Sequence, residues 1–180
     1  MKKQDWHLLI LHFLGLDHIG HVEGPRSALV GPKLQEMDSV IESVHSRRTQ
    51  SPLLLLTGDH GMHDGGGHGG ASASERNVGL VLLGTRCAFG GPSGSWAQVD
   101  LASTLAVLLG VEIPEGSAGA LVPALLAPLG KRGALTALFS NAKRLLLAAP
   151  GAKQGLSQFY GLFEMNLCTK RRLHTVLCCI

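Results

Sequence analysis

Asp17, His21, Asp59, His60 and His68 are the residues of this chain whose types and spacing point most directly to chemistry. Asp17 and His21 stand four apart in Gly15-Leu16-Asp17-His18-Ile19-Gly20-His21, directly after an apolar run. Asp59 and His60 close a second apolar run, Leu53 to Thr57 with Gly58, and His68 follows inside a glycine-rich loop. Carboxylate oxygen and imidazole nitrogen are ordinary zinc ligands, so each pair has the donors for an ion. Two ions held about 4 Å apart would clamp the attacking and leaving oxygens of a phosphoryl group.

Each motif also has a plainer reading. Asp17 and His21 read as a polar loop with a surface histidine, since the residues from Asp17 to Pro25 carry loop composition. Asp59 reads equally as a turn residue capping its own backbone. His68 among five glycines is weak alone. Concentration favours the metal reading: eight of the nine histidines lie between residues 7 and 68, together with both Asp-bearing apolar runs. His18 and His63 are spare candidates, whereas His7, His12 and His45 read as strand or helix residues.

The elements that must position these groups follow from periodicity. Trp6 to Leu14 is apolar nearly throughout, as expected of a buried strand in a parallel sheet. Gly31-Pro32 opens a helix in which Leu34, Met37, Val40, Ile41 and Val44 recur at helical spacing, ending near Arg47-Arg48. Leu53 to Thr57 and Asn77 to Leu83 read as further strands, and residues 86–95 as a turn-rich excursion. Asp100 predicts the N-cap of a helix over Leu101 to Leu109, with Gly110 as its stop. Ala120 to Leu129 and Leu135 to Leu147 look helical, and residues 151–180 form an unassigned tail. Alternating strands and helices predict an α/β sandwich with a mainly parallel sheet, its ligands gathered beyond the strands' carboxyl ends.

Bulk properties set limits. A chain of 180 residues is about one domain long. Its 45% hydrophobic share supports a core, and its 16% charged share is low against the usual value of about 25%. The net charge of +3 is scattered until Lys170-Arg171-Arg172, which gives no nucleic-acid footprint. Lys2 and Lys3 before an apolar stretch have the outline of a signal peptide, but Asp5, His7 and His12 interrupt it. No apolar run reaches the roughly 20 residues of a membrane helix. Four cysteines show no zinc-finger spacing, and Leu177 occupies the position where a prenylation box would need cysteine.

GLDHIGH, LVGPKLQEMDSVIESVH, LLLLTGDHGM with His68-Gly69, and QVDLASTLAVLLGVEIP together resemble the glycosylphosphatidylinositol (GPI) ethanolamine phosphate transferases of the alkaline phosphatase superfamily. The resemblance is strong over residues 5–115 and loose to about 160. It implies an alkaline-phosphatase-like fold of which residues 1–150 are the C-terminal part of the catalytic domain. It implies two zinc ions, one held by Asp17, His21 and His68, the other partly by Asp59 and His60.

The family's activity moves ethanolamine phosphate from phosphatidylethanolamine to a mannose of the GPI-anchor precursor, here the second. The expected setting is the lumenal face of the endoplasmic reticulum membrane, with a small membrane subunit as a further partner. In the family a nucleophilic Thr and another Asp lie upstream of GLDHIGH. Only sixteen residues precede Asp17, and none is Thr. The nucleophilic Thr is accordingly expected upstream of Met1, in sequence that this chain does not contain. The resemblance therefore assigns no catalytic residue to this chain and implies that it is inactive alone. The competing expectation is a non-catalytic metal-binding or interaction remnant.

Overall fold

The structure, a computed structural model, describes residues 6–47, 53–84 and 95–149, and the backbone of 175–179. All but the last residue of the excursion at 86–95, the basic cluster at 170–172 and most of the tail lie outside the described residues. So does the chain's start: Met1 is not among the described residues, and the Thr expected upstream of Met1 falls outside them with it. The chain divides into two compact units, residues 1–88 with 174–180, and residues 89–173.

The first unit is built on a four-stranded sheet in the order β1-β4-β2-β3. The strands are β1 (Leu8–His12), β2 (Leu53–Thr57), β3 (Leu80–Leu83) and β4 (Thr175–Cys179). β4 runs parallel to both β1 and β2, pairing Leu8 and Leu53 with Thr175, and His12 and Thr57 with Cys179. β3 is antiparallel to β2, with Leu54 opposite Leu83 and Thr57 opposite Leu80. The sheet is mixed. No long crossover helix joins β2 to β3 among the described residues, only a loop and the one-turn helix α3 (Ala73–Arg76), so β3 returns alongside β2 in the opposite sense.

Leu54 and Leu55 are fully buried. Trp6, Leu9, Leu11 and Leu56 from the strand segments pack around Leu54, as do Ile41 and Val44. The last two belong to α2 (Val30–Ser46), whose buried Met37 continues the same stripe at helical spacing. Pro32 sits in the first turn of α2, where its missing N–H costs no helical hydrogen bond. The buried strand expected from Trp6 to Leu14 is shorter, Leu8–His12, and only half-covered: Leu8 and Ile10 stay exposed while Leu9 and Leu11 face the core.

Two further sequence expectations in this unit change. Residues 17–23 are helical, not loop: α1 spans Gly15–Glu23 and stops at Gly24, whose φ of 86° suits glycine. The strand expected from Asn77 begins only at Leu80, because Asn77 caps α3 and its N–H bonds the Ala73 carbonyl.

The second unit holds α4 (Gln98–Leu109), a 3-10 segment (Pro123–Leu129) and α5 (Gly130–Ala148). Gly110 ends α4 in the left-handed conformation expected of it. Asp100 is not the N-cap; it lies inside the first turn and accepts from the N–H groups of Ala97 and Ala120 at 3.2 and 2.8 Å. Buried Thr104 accepts the Val122 N–H at 3.0 Å while donating to the Asp100 carbonyl at 2.7 Å. Among the described residues no helix is long and apolar enough to cross a membrane.

Candidate metal centre

β1, β4 and β2 run the same way, so α1 and the loop after β2 both leave the sheet from its carboxyl edge. Side chains four apart on a helix share a face. Asp17 and His21 therefore project together from α1, with Asp17 Oδ1 3.4 Å from His21 Nε2. His68 arrives from the glycine-rich loop, its Nε2 3.5 Å from the same oxygen. Ligand atoms of these three residues lie within 4.8 Å of one another.

Asp17 Oδ1 is buried and has no hydrogen-bond partner, an expensive state for a carboxylate oxygen. Tetrahedral zinc with bonds near 2.0–2.2 Å separates its ligand atoms by about 3.4 Å. The two Asp17–histidine separations match that spacing, and the carboxylate and two imidazoles are a donor set that fits zinc. All three side chains keep between 32 and 44% exposure, which leaves the cluster open to solvent.

The loop reaches this position because glycines permit close approach. A Cβ on Gly20 of α1 would lie 2.2 Å from Met62 Sδ, and one on Gly66 would lie 2.5 Å from the Gly20 carbonyl oxygen. Gly66 also has a φ of 85°. The far end of the loop is tied by Glu75, which accepts from the Gly70 N–H at 2.9 Å, the Ser72 N–H at 3.3 Å and the Ser72 hydroxyl. The Ser72 hydroxyl, then the Gly70 amide, hold the Glu75 carboxyl below its ordinary value. The Glu75 carbonyl in turn accepts the Gly61 N–H at 2.8 Å.

Asp59 and His60 follow β2 directly. His60 Nδ1 sits 2.9 Å from the Gly61 carbonyl, which only accepts, so this nitrogen is the donor of that contact. Asp59 Oδ1 accepts the His60 N–H at 3.0 Å, the self-capping expected of a turn residue. Its Oδ2 lies 3.8 Å from His60 Nε2. The His60 ring stacks on His68, so the two ligand pairs adjoin.

His63 shapes the loop, its Nδ1 accepting the Gly65 N–H at 2.9 Å, and His18 is exposed on α1. His45 is exposed in the last turn of α2. His12, read from sequence as a strand residue, ends β1 with its Nε2 3.4 Å from Asp59 Oδ2. The available signal was its place at the end of an apolar strand, the same place from which Asp59 departs.

A family model described as type I phosphodiesterase / nucleotide pyrophosphatase matches residues 1–71, which contain all five candidate ligands. GPI ethanolamine phosphate transferase 2, catalytic subunit, from Homo sapiens is 46% identical over 68% of this chain and 14% of its own length. GPI ethanolamine phosphate transferase 2 of Candida glabrata is 39% identical over 68% of this chain and 18% of its own. The Yarrowia lipolytica protein of the same name is 33% identical over 91% and 21%. No solved structure matches the chain.

The mixed α/β unit carries its Asp-His-His cluster beyond the strand ends, within the residues 1–71 that match the phosphodiesterase family model. The chain is a relative of the GPI ethanolamine phosphate transferases. It spans 14 to 21% of the length of these three relatives.

Proposed function

We propose that this chain is part of the catalytic domain of a metal-dependent ethanolamine phosphate transferase acting in GPI-anchor biosynthesis. The observation that carries the reading is the convergence of Asp17, His21 and His68 around a buried carboxylate oxygen that has no hydrogen-bond partner, within the stretch matched by the phosphodiesterase family model. The names of the relatives supply the reaction class. Residues 1–150 then form the partial catalytic domain, with the sandwich architecture of the alkaline phosphatase superfamily.

In this reading Asp17, His21 and His68 hold one zinc ion, and Asp59 with His60 contributes to a second. Bound zinc polarises the phosphoryl oxygens and lowers the pKa of the attacking hydroxyl. The chain's own residues then have separate tasks. α1 fixes the Asp17–His21 pair, and the Gly61 carbonyl keeps the proton on His60 Nδ1. The Gly20–Gly66 approach brings His68 to Asp17. The nucleophilic Thr and a further Asp are assigned to sequence upstream of Met1, so no residue of this chain is named as nucleophile.

Phosphatidylethanolamine is the proposed donor and a mannose of the GPI precursor, the second, the acceptor. The proposed setting is the endoplasmic reticulum membrane with the site in the lumen and a small membrane subunit as partner. Replacing Asp17 by Ala in a complete protein that contains this segment tests the proposal. Loss of ethanolamine phosphate transfer supports it; full transfer overturns it. Zinc binding by the chain with no transfer in any complete protein containing it would support the non-catalytic remnant instead.

A further inference from the structure

His12 ends a strand at the sheet's carboxyl edge, and the proposed metal sites give it no task. It is the last residue of β1, paired in register with Cys179, which is paired in turn with Thr57 of β2. Its position is therefore fixed by the sheet. Asp59 begins two residues beyond Thr57, on a loop with glycine on either side of the Asp59-His60 pair. A carboxylate on such a loop needs an external contact to hold its orientation.

Both oxygens of Asp59 have neighbours. Oδ1 accepts the His60 backbone N–H at 3.0 Å. Oδ2 has His12 Nε2 at 3.4 Å and His60 Nε2 at 3.8 Å. These three groups do not close on a common point, because among the described residues only Asp17, His21 and His68 do so. His12 thus meets Asp59 without joining His60 as a ligand. Carboxylates that bind metals are commonly oriented in this way by a neighbouring donor.

We propose that His12 is a positioning residue, its imidazole anchored to β1 and steering Asp59 Oδ2 toward the ion shared with His60. The inference rests on the proposed role of Asp59 as a ligand. It separates sheet from loop: β1 supplies the rigid contact, and the loop supplies the ligand.

Zinc affinity of a complete protein that contains this segment, measured by competition with a chromophoric chelator, tests both levels. Asp59→Ala identifies the binding that depends on Asp59, and Asp17→Ala the binding that does not. His12→Ala is expected to weaken the Asp59-dependent binding about 10- to 100-fold. It should leave the Asp17-dependent binding and the thermal midpoint in place. His12→Gln, whose amide presents a donor to the same oxygen, should recover much of the loss. An Asp59-dependent affinity unchanged in His12→Ala overturns the inference alone. So does a His12→Gln variant as weak as His12→Ala, or an equal loss at both sites with a lowered midpoint. Zinc binding indifferent to Asp59→Ala overturns the Asp59 reading and this inference with it.

Discussion

The rings of His60 and His68 stack with centroids 3.7 Å apart and planes 22° apart. His68 simultaneously faces His21, with ring centroids 4.9 Å apart and a tilt of 60°. The loop after β2 thus supplies one imidazole to each proposed site and packs the two against each other. Displacing either ring disturbs its neighbour.

Zinc should bind this chain through α1 and the loop together. Asp17→Asn keeps the side-chain shape but removes the charge, and should lower zinc affinity by at least about 10-fold, as expected when a ligand donor is lost. Equilibrium dialysis with metal analysis reads the loss. His45→Ala, at the exposed end of α2, should leave affinity unchanged.

In a complete protein containing this segment, Asp59→Ala or His60→Ala should abolish ethanolamine phosphate transfer, whereas His45→Ala should not. Equal effects from all three would make the loop structural only. Lipid-product analysis with a labelled donor checks this.

Gly66 and Gly69 both have positive φ, at 85° and 94°, but only Gly66 has a neighbour in the way. Gly66→Ala should destabilise the first unit by about 1–3 kcal/mol, combining backbone strain with a clash against the Gly20 carbonyl. Gly69→Ala meets open space and should cost only the strain of about 1 kcal/mol. Urea midpoints, read alongside zinc affinity, separate the two variants.

Acid should loosen the loop through Glu75. Its carboxyl is held below the ordinary value by the Ser72 hydroxyl and the Gly70 amide. A lowered folded-state pKa means that the stabilisation is complete above the unfolded glutamate pKa and is lost as pH falls through the folded value. Protection of the Gly70 amide against hydrogen exchange, taken relative to its intrinsic rate at each pH, should fall across that window, and Glu75→Gln should remove that dependence.

In the second unit, Thr104→Val keeps the volume but leaves the buried Val122 N–H without its acceptor. The expected cost is about 1–3 kcal/mol, read from thermal or urea unfolding.

Much of the scaffold under the candidate site was legible because its signals are local. A leucine run ending in Gly58-Asp59-His60 marks a strand end, and β2 spans Leu53–Thr57 as read. The hydrophobic spacing of Met37, Ile41 and Val44 likewise marked α2. The helix at Asp17 was obscured by three glycines, Gly15, Gly20 and Gly24, which read as loop formers. Two have other reasons: Gly20 admits Met62, and Gly24 ends the helix. His12 escaped notice because its significance lies across the sheet, where local pattern carries no information. Antiparallel β3 and the pairing of β4 are likewise long-range choices.

β4 comes last among the strands in sequence yet lies between β1 and β2. The first unit consequently joins segments nearly the whole chain apart, and loop closure of that length must precede the reward of pairing. Refolding should be slow for a chain of this size, with helices α1 and α2 forming before the sheet closes. Until residues 175–179 arrive, β1 and β2 each present an open edge, and this waiting interval is when the chain is most prone to pair with another copy.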